Sequence, residues 1–370
     1  MRELKMAIVD GVARSNREFY IFDDGEVART ISKIYGRVMP IAGFITDEAS
    51  LNAALQTNEP YIVVGTNKSV DEIFDQLRNA GLTIDRDFCH YKEWIRKYFE
   101  VVLNDEHKLL QDYVELYITD RCTLRCKACI LFAPYAAPPR DRSFSDIRRD
   151  IELYFKYVDR VSVFRLMGGE PFIHPHFADI IKFIDCERGG QYRELIGSMI
   201  VVSNGTVIPP PHVLRMLSEF DIEVHVSDYP VPAAQHQREK LIEAFEREHV
   251  RYKIKPMRWV DVNSNPTAIK HKSRRELLDL FRKCFVRCRT VYDGKLYFCA
   301  IDAAAQRRQF ITGDDDDFVE LDTNEEVEAV KKRILTLDAG KLGKGYVSFC
   351  RNCWGGTDSN ERIIPVAEQL

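Results

Sequence analysis

Three cysteines lie close together in the segment Cys122-Thr-Leu-Arg-Cys126-Lys-Ala-Cys129. Thiolates at these spacings can bind three irons of a four-iron cluster and leave the remaining iron open to an exogenous ligand. Zinc is the alternative, but a zinc site would want a further ligand nearby, and the histidines His90 and His107 both lie upstream. The triad taken by itself therefore favours an iron–sulfur site.

The other cysteines also point to metal chemistry. The chain of 370 residues contains 10 cysteines, which is many for a protein of a reducing compartment, where clustered thiols are typical of metal ligands rather than disulfides. Cys89 and Cys186 fit the simpler interpretation of isolated buried thiols. The C-terminal part holds the rest, which are Cys284, Cys288, Cys299, Cys350 and Cys353.

Charge and hydropathy exclude several classes of partner. The formal net charge is −4, from 53 basic and 57 acidic residues, so the chain lacks the basic field on which non-specific nucleic-acid binding depends. No apolar run reaches the ~18 residues of a membrane helix, and the N-terminus lacks the pattern of a signal peptide. We expect a soluble, cytoplasmic protein with no nucleic-acid or membrane partner. The acidic run from Asp314 to Asp317 is expected to be a solvated loop.

Residues 1–108 are predicted to form a small Rossmann-like α/β domain. Apolar strands at residues 18–22 and 61–64 alternate with helices, one ending near Tyr35 and one running from a cap at Ser69 to a stop at Gly81, which favours parallel strands with crossover helices. The domain resembles the nucleotide-binding type found in sugar-modifying enzymes. Its first turn, Asp23-Asp24-Gly25, carries carboxylates where a pyrophosphate needs bare backbone, so a structural or docking role is favoured over ligand binding.

Residues 109–270 are predicted to form a second α/β domain. Strands are expected at 114–118, 161–166, 196–202 and 223–226, and helices at 177–183, 213–220 and 238–248. Such a βα series closes as a full or partial barrel, with its chemistry at the C-terminal ends of the strands. The cysteine triad directly follows the first of these strands, so it belongs to the chemical end.

Two further motifs follow later strands of this series. Leu166-Met-Gly168-Gly169-Glu170-Pro171 ends one strand, and Ser203-Asn204-Gly205 ends the next. Glycines allow close approach of a ligand, and a carboxylate can accept hydrogen bonds from an ammonium group. With the triad, these motifs resemble the radical S-adenosylmethionine (radical SAM) superfamily in order and spacing, over roughly residues 114 to 230. The resemblance implies an α/β fold with a partial (β/α)6 TIM-like barrel.

The resemblance also implies roles for single residues. Cys122, Cys126 and Cys129 would hold a catalytic [4Fe-4S] cluster whose open iron binds S-adenosylmethionine. The methionyl ammonium would lie at Gly168, Gly169 and Glu170, in the motif that Pro171 completes, and the ribose or carboxylate would lie by Ser203 and Asn204. Reductive cleavage would give a 5′-deoxyadenosyl radical that removes a substrate hydrogen. One departure from the family is Ala128, at a position that is often aromatic and packs near the adenine.

Residues 271–370 are predicted to form a cluster-binding extension. Val291-Tyr-Asp293-Gly294-Lys-Leu-Tyr-Phe298 is typical of a β-hairpin turning at Asp-Gly. Together with the flanking cysteines it resembles the Twitch module, a shortened SPASM extension that carries one auxiliary [4Fe-4S] cluster, and a zinc ribbon is the alternative. The resemblance implies four ligands. They are Cys284, Cys299, Cys350 and Cys353, with Cys288 as a fifth thiol that could replace Cys284 or remain free.

The spare thiol bears on the reaction. A cluster held by four thiolates has no open site, so its expected role is electron transfer, which fits an oxidation. If Cys288 instead donates a hydrogen atom to the opposite face of a substrate radical, the net reaction is epimerisation. Further candidates at the rim are Asp228 as a general base, its neighbours Ser227 and Tyr229, and His174 and Arg165.

The resemblance to aminocyclitol dehydrogenases and sugar-modifying members favours one function. We expect a radical SAM dehydrogenase or epimerase acting on a small-molecule carbohydrate-type substrate, namely a sugar, nucleotide sugar or aminocyclitol. Its cofactors would be two [4Fe-4S] clusters and S-adenosylmethionine, and its electron donor a flavodoxin or ferredoxin. The alternative is a peptide-modifying maturase, although residues 1–105 do not resemble the winged-helix domain that recognises precursor peptides. A non-catalytic iron–sulfur module is disfavoured by the intact Gly-Gly-Glu-Pro motif.

Overall fold

The fold comes from a computed structural model, which describes residues 17–35, 41–57, 59–66, 70–135, 138–185, 191–262, 266–284, 288–338, 343–356 and 360–370. The chain divides into two compact units, Met1–Lys108 and Leu109–Leu370. The expectations for Cys186, for a cap at Ser69 and for the N-terminal sequence fall outside the described residues. Within them, no helix combines the length and apolarity needed to cross a membrane.

The first unit is a parallel sheet whose strands lie in the order β2 (Ile41–Ile45), β1 (Phe19–Phe22), β3 (Tyr61–Val64) and β4 (Phe88–His90), with helices between them as the alternation predicts. Its turn after β1 differs from a phosphate-binding loop, because the carboxylate of Asp23 accepts hydrogen bonds from the backbone N–H groups of Asp24 (2.7 Å) and Gly25 (3.1 Å). The side chain thus satisfies donors that a phosphate would use. The elements are β1 (Phe19–Phe22), α1 (Glu26–Tyr35), β2 (Ile41–Ile45), α2 (Glu48–Leu55), β3 (Tyr61–Val64), α3 (Asp71–Asn79), β4 (Phe88–His90) and α4 (Tyr91–Glu106).

The second unit is built on an eight-stranded sheet. Its strands lie in the order β13 (Phe318–Glu320), β12 (Lys295–Tyr297), β11 (Thr290–Tyr292), β5 (Leu110–Thr119), β6 (Arg160–Gly168), β7 (Ile196–Ser203), β8 (Glu223–Asp228) and β9 (Tyr252–Pro256). Strands β11 and β5 to β9 run parallel, so the predicted α/β class with a mostly parallel sheet is confirmed. The barrel half comprises β5 (Leu110–Thr119), α5 (Phe144–Tyr157), β6 (Arg160–Gly168), α6 (Phe177–Asp185), α7 (Gln191–Glu194), β7 (Ile196–Ser203), α8 (Pro211–Glu219), β8 (Glu223–Asp228), α9 (Pro232–Arg247) and β9 (Tyr252–Pro256).

The C-terminal part continues the same sheet. Its elements are β10 (Trp259–Val260), α10 (Arg274–Lys283), β11 (Thr290–Tyr292), β12 (Lys295–Tyr297), α11 (Ala300–Arg307), β13 (Phe318–Glu320), α12 (Val327–Asp338) and β14 (Ile363–Ile364). The predicted hairpin is present as the antiparallel pair β11–β12, with Asp293 and Gly294 at φ of 51° and 72°. Buried Asp150 of α5 accepts hydrogen bonds from both turn N–H groups. Because β11 pairs with β5, the C-terminal part and the barrel strands share one sheet. The second unit as a whole, Leu109–Leu370, is called the barrel unit below.

The expectation that the whole acidic run is solvated is wrong for its last member. Asp317 is 0% exposed. Its carboxylate accepts hydrogen bonds from the Ser348 backbone N–H (2.7 Å) and from Lys344 (3.0 Å). A buried carboxylate needs such donors to replace its lost hydration. Asp317 therefore anchors the start of the 3₁₀ turn Ser348–Arg351, which carries Cys350.

Candidate functional site

The cysteine triad lies in the loop that follows β5, at the C-terminal edge of the parallel strands. All three thiols lie at one small apolar cluster, of which Cys126 is a buried member; Cys122 and Cys129 pack against this cluster, and so do Tyr229 and Trp259. Burial raises the pKa of the Cys122 thiol to about 11, and that of Cys126 also lies above its ordinary value for the same reason. Metal binding must therefore displace protons from thiols that are protonated in the metal-free chain.

The paired glycines of the next motif are required by the loop that precedes the triad. A Cβ on Gly169 would lie 2.1 Å from the carbonyl oxygen of Arg121 and 2.8 Å from the Cβ of Cys122. The N–H groups of Gly169 and Glu170 donate to the carbonyls of Thr119 and Arg121, both at 2.8 Å. Because Gly169 has no Cβ, the chain that follows β6 packs closely against the cysteine loop.

Glu170 joins the ends of two strands. Its buried carboxylate accepts hydrogen bonds from the Ser203 hydroxyl (3.1 Å) and the Asn204 N–H (2.8 Å), both at the end of β7, and from the Phe172 N–H (3.2 Å). Burial raises its pKa to about 7, although these donors oppose the shift. Asn204 in turn donates through Nδ2 to the sulfur of Cys122 at 3.4 Å. The three sequence motifs therefore form one connected set of contacts.

The remaining rim candidates have defined partners. Asp228, at the end of β8, forms an ion pair with Arg238 at 2.6 Å and is half-exposed. His174 is buried, its Nε2 lies 3.1 Å from the carbonyl of Arg142, and its Nδ1 accepts from the His176 N–H. These contacts hold the loop after β6, so His174 has a structural role here.

Tyr229 packs edge-on against Trp259, with ring centroids 5.6 Å apart.

Four of the C-terminal cysteines surround one cavity. Its lining includes Cys284, Cys299, Cys350 and Cys353, together with apolar side chains such as Phe281 and Phe349. The Gly355 N–H donates to the Cys353 sulfur at 3.1 Å, and Lys272 Nζ donates to the carbonyls of Cys350 (3.2 Å) and Cys353 (2.7 Å). In the described part of the chain, no group of three or more His, Cys, Asp or Glu side chains could hold a single metal ion.

Cys288 is not among the residues that line this cavity. Its thiol instead lies within hydrogen-bond reach of Glu115 and Tyr113 on β5, and burial followed by the Glu115 charge raises its pKa. The Tyr113 hydroxyl donates to Glu115, and Arg165 Nη1 donates to the Tyr113 oxygen at 2.9 Å. Arg165 therefore belongs to a polar cluster with Tyr113, Glu115 and Cys288, which is called the barrel cluster below.

Sequence reasoning did not select Tyr113, Glu115 or Gln369. Tyr113 and Glu115 alternate with Val114 and Leu116 along β5, so period-two alternation could have placed them on the face opposite the helices. No sequence signal pointed to Gln369, whose side chain reaches the sulfur of Cys126 (3.3 Å).

An apolar cluster lies between the two sets of cysteines. Its buried members include Tyr117, Phe132 and Cys353. Cys129 of the triad and Cys299 of the cavity both pack against it, and so does Cys288. The two cysteine sites therefore share one packed region of the barrel unit.

Comparison with known proteins gives matches in sequence and in structure. Residues 116–227 match the Radical SAM superfamily. A GTP 3′,8-cyclase of Lactiplantibacillus plantarum is 34% identical over 105 residues, covering 28% of this chain and 29% of that protein. A GTP 3′,8-cyclase of Campylobacter curvus is 28% identical over 85 residues, covering 22% of this chain and 26% of that protein. The chain thus spans less than a third of the length of these curated relatives.

The solved structures match over more of the chain. BtrN in complex with AdoMet and 2-DOIA covers 71% of this chain and 100% of its own, at 13% identity and a TM-score of 0.41. The AdoMet-bound anSMEcpe covers 70% of this chain and 90% of its own, at 15% identity and a TM-score of 0.41. The triad, the Gly168–Pro171 motif and Ser203-Asn204 all lie inside the family match, and they contact one another at one edge of the sheet. The chain therefore carries a domain of the radical SAM superfamily at residues 116–227.

Proposed function

We propose that this protein is a radical SAM enzyme in which Cys122, Cys126 and Cys129 hold a [4Fe-4S] cluster. The observation that supports this most is a continuous set of contacts: Gly169 packs against Cys122 of the triad, and Asn204 donates to both the Cys122 sulfur and the Glu170 carboxylate. When bound, the cluster and S-adenosylmethionine supply a 5′-deoxyadenosyl radical that abstracts hydrogen. Glu170 would orient the methionyl ammonium, together with the backbone of Gly168 and Gly169. Pro171 completes this motif. Ser203 and Asn204 would keep the Glu170 carboxylate in place through their hydrogen bonds.

We further propose that Cys284, Cys299, Cys350 and Cys353 hold an auxiliary [4Fe-4S] cluster in a Twitch-type module of residues 271–370. Support comes from the cavity that these cysteines share and from its apolar lining. The N–H of Gly355 donates to the Cys353 sulfur and the Lys272 ammonium lies at the Cys353 carbonyl, so both oppose the burial that raises the pKa of this thiol to about 12. Its proposed role is electron transfer, with a flavodoxin or ferredoxin as the external donor.

The barrel cluster supports a small polar substrate. Tyr113, Glu115 and Arg165 offer a hydroxyl, a carboxyl and a guanidinium on neighbouring strands, since Glu115 pairs with Arg165 across β5 and β6. Hydroxyl and amino groups of a sugar, nucleotide sugar or aminocyclitol can bond to all of these. Asp228 would act as a base at the rim. The match to the GTP 3′,8-cyclases covers too little of their length to carry their substrate over.

Of the two reactions that fit, dehydrogenation and epimerisation, the position of Cys288 favours epimerisation. Its thiol contacts Glu115 and Tyr113 and does not line the cavity, and burial keeps it protonated by raising its pKa. The S–H bond would break as a C–H bond forms on the substrate radical. The thiyl radical left on Cys288 would be reduced by one electron from the flavodoxin or ferredoxin donor and would take up one proton. A peptide maturase stays the alternative.

Iron counting tests the two clusters. Anaerobically reconstituted protein should bind about eight irons and as many sulfides, and the variant with Cys122, Cys126 and Cys129 all changed to Ala should bind about four. Wild type with about four irons and a variant with none would remove the auxiliary cluster from the proposal. Candidate sugars and aminocyclitols are then incubated with S-adenosylmethionine and a reductant in D₂O. Epimerisation through the exchangeable Cys288 proton places one carbon-bound deuterium at the inverted centre, whereas dehydrogenation turns that carbon into a carbonyl that carries no hydrogen.

A further inference from the structure

The last residues of the chain lie along the cysteine loop. The Lys127 N–H donates to the Glu368 carbonyl (2.7 Å), and the Leu370 N–H donates to the Arg125 carbonyl (2.9 Å). These bonds make Cys126 and Gln369 partners in an antiparallel bridge. Upstream, β14 pairs with β10 and Ala367 is fully buried. Residues 366–370, called the terminal segment below, are thus held against the loop at both ends.

The Gln369 side chain is fixed in one orientation. Its Oε1 accepts a hydrogen bond from the Arg125 N–H at 2.7 Å, which only the oxygen end of the amide can do. The NH₂ end must then point the other way, where Nε2 lies 2.5 Å from the Ala367 carbonyl and 3.3 Å from the Cys126 sulfur. An amide with two N–H groups can donate to both. The contacts of the Gln369 amide with the backbone therefore fix its Nε2 as the group that donates to the Cys126 sulfur.

An N–H group directed at a ligand sulfur stabilises the more negative, reduced form of an iron–sulfur cluster, and such hydrogen bonds are among the factors that set its reduction potential. We propose that Gln369 is a positioning residue that holds the Cys126 thiolate and raises the reduction potential of the cluster bound by the triad. This inference rests on the proposed function. It adds a role for the terminal segment that is separate from cysteine ligation.

Two variants of Gln369 and one neighbouring control separate this role from simple packing. Gln369→Glu keeps an acceptor for the Arg125 N–H but replaces the donor to sulfur with oxygen. Gln369→Leu removes both. Glu368→Gln is the matched control, because the Glu368 side chain pairs with Lys127 at the surface and the structure gives it no contact with a sulfur. If Gln369 only tethers the terminal segment to the cysteine loop, Gln369→Glu should behave like wild type, because it keeps the acceptor for the Arg125 N–H.

The measurement is an anaerobic redox titration of the holoenzyme followed by electron paramagnetic resonance. The triad cluster is the one whose signal changes when S-adenosylmethionine is added. Both Gln369 variants should shift its midpoint potential to more negative values, or lose its iron to a chelator faster than wild type, while Glu368→Gln behaves like wild type. Gln369 variants with wild-type potential and wild-type iron retention would overturn the inference. Wild type without iron at the triad would instead overturn the proposed function.

Discussion

Cys284 and Cys288 belong to different environments although only three residues separate them in the sequence. Cys284 lines the cavity that Cys299, Cys350 and Cys353 share, whereas Cys288 contacts Glu115 on β5. The two thiols therefore present separate chemistry, one as a proposed ligand and one as a proposed hydrogen donor. This difference favours Cys284 over Cys288 as the proposed ligand, a choice that cysteine spacing leaves open, and it can be tested directly.

Cys284→Ala should lose the iron of the auxiliary site, and Cys288→Ala should keep it. The reason is that only the first thiol lines the cavity. Iron and sulfide analysis gives about four irons for the first variant and about eight for the second. Cys288→Ala should still form 5′-deoxyadenosine while losing epimerised product. Iron loss in Cys288→Ala with a fully loaded Cys284→Ala would reverse the assignment of the two cysteines.

Cys126→Ala should abolish 5′-deoxyadenosine formation. Cys126 is the central thiol of the triad, and a cluster left with two protein ligands is not expected to persist. The product is measured by chromatography after incubation with S-adenosylmethionine and a reductant. Cys89→Ala is the control, since Cys89 is a buried thiol on β4 of the other unit. Cleavage above background in Cys126→Ala would exclude the triad as the catalytic cluster site.

Gly169→Ala should prevent the cysteine loop from closing on β6. The added Cβ would lie 2.1 Å from the backbone oxygen of Arg121, which cannot move as a side chain end can. We expect a loss of about 3 kcal/mol or more in the free energy of unfolding, together with loss of iron. Gly43→Ala serves as control, because its Cβ would meet only the Tyr20 ring at 3.5 Å. Equal stability of the two variants would contradict the packing argument.

Glu170 should make the stability of the metal-free chain depend on pH. Burial raises its pKa from 4.5 to about 7. The folded state then binds a proton that the unfolded state releases, so the contribution of Glu170 to stability is fully present below pH 4.5 and is lost as the pH rises through about 7. Urea unfolding across this interval measures the slope. Glu170→Gln carries no titrating group and should show a smaller decline, whereas an identical slope in both chains would argue against the shift.

The same carboxyl should couple cofactor affinity to pH in the opposite direction. A neutral carboxylic acid attracts an ammonium group less than a carboxylate does. Affinity of the loaded enzyme for S-adenosylmethionine should therefore rise as the pH passes upward through about 7, the pKa that burial gives Glu170. Equilibrium dialysis under anaerobic conditions follows the change. A flat profile in wild type, matching that of Glu170→Gln, would remove Glu170 from the proposed ammonium site.

Much of the chain was predictable because its signals are local. Apolar periodicity located the barrel strands to within a few residues, and β5 proved longer than expected, at Leu110–Thr119. The Asp-Gly pair identified the hairpin, because few residues accept positive φ at two successive positions. The cysteine triad, the Gly168–Pro171 motif and Ser203-Asn204-Gly205 together identified the superfamily. In each case the information lies within a few neighbouring residues.

Other features depend on contacts between distant parts of the chain. Alternation along β5 could have drawn attention to Glu115, but not to its neighbour Cys288, which β11 brings beside it. Asp317 looked like part of a solvated run and is buried against the turn that carries Cys350.

Sequence alone determined the radical SAM motifs, the βα order and the set of candidate thiols. Tertiary structure decided which thiols share a cavity, why Gly169 must lack a side chain and which amide faces Cys126. The physical reason is that hydrogen bonds and packing act over a few ångströms in space, regardless of separation along the chain. The contact between Gln369 and Cys126 is fixed by backbone pairing between two such distant segments.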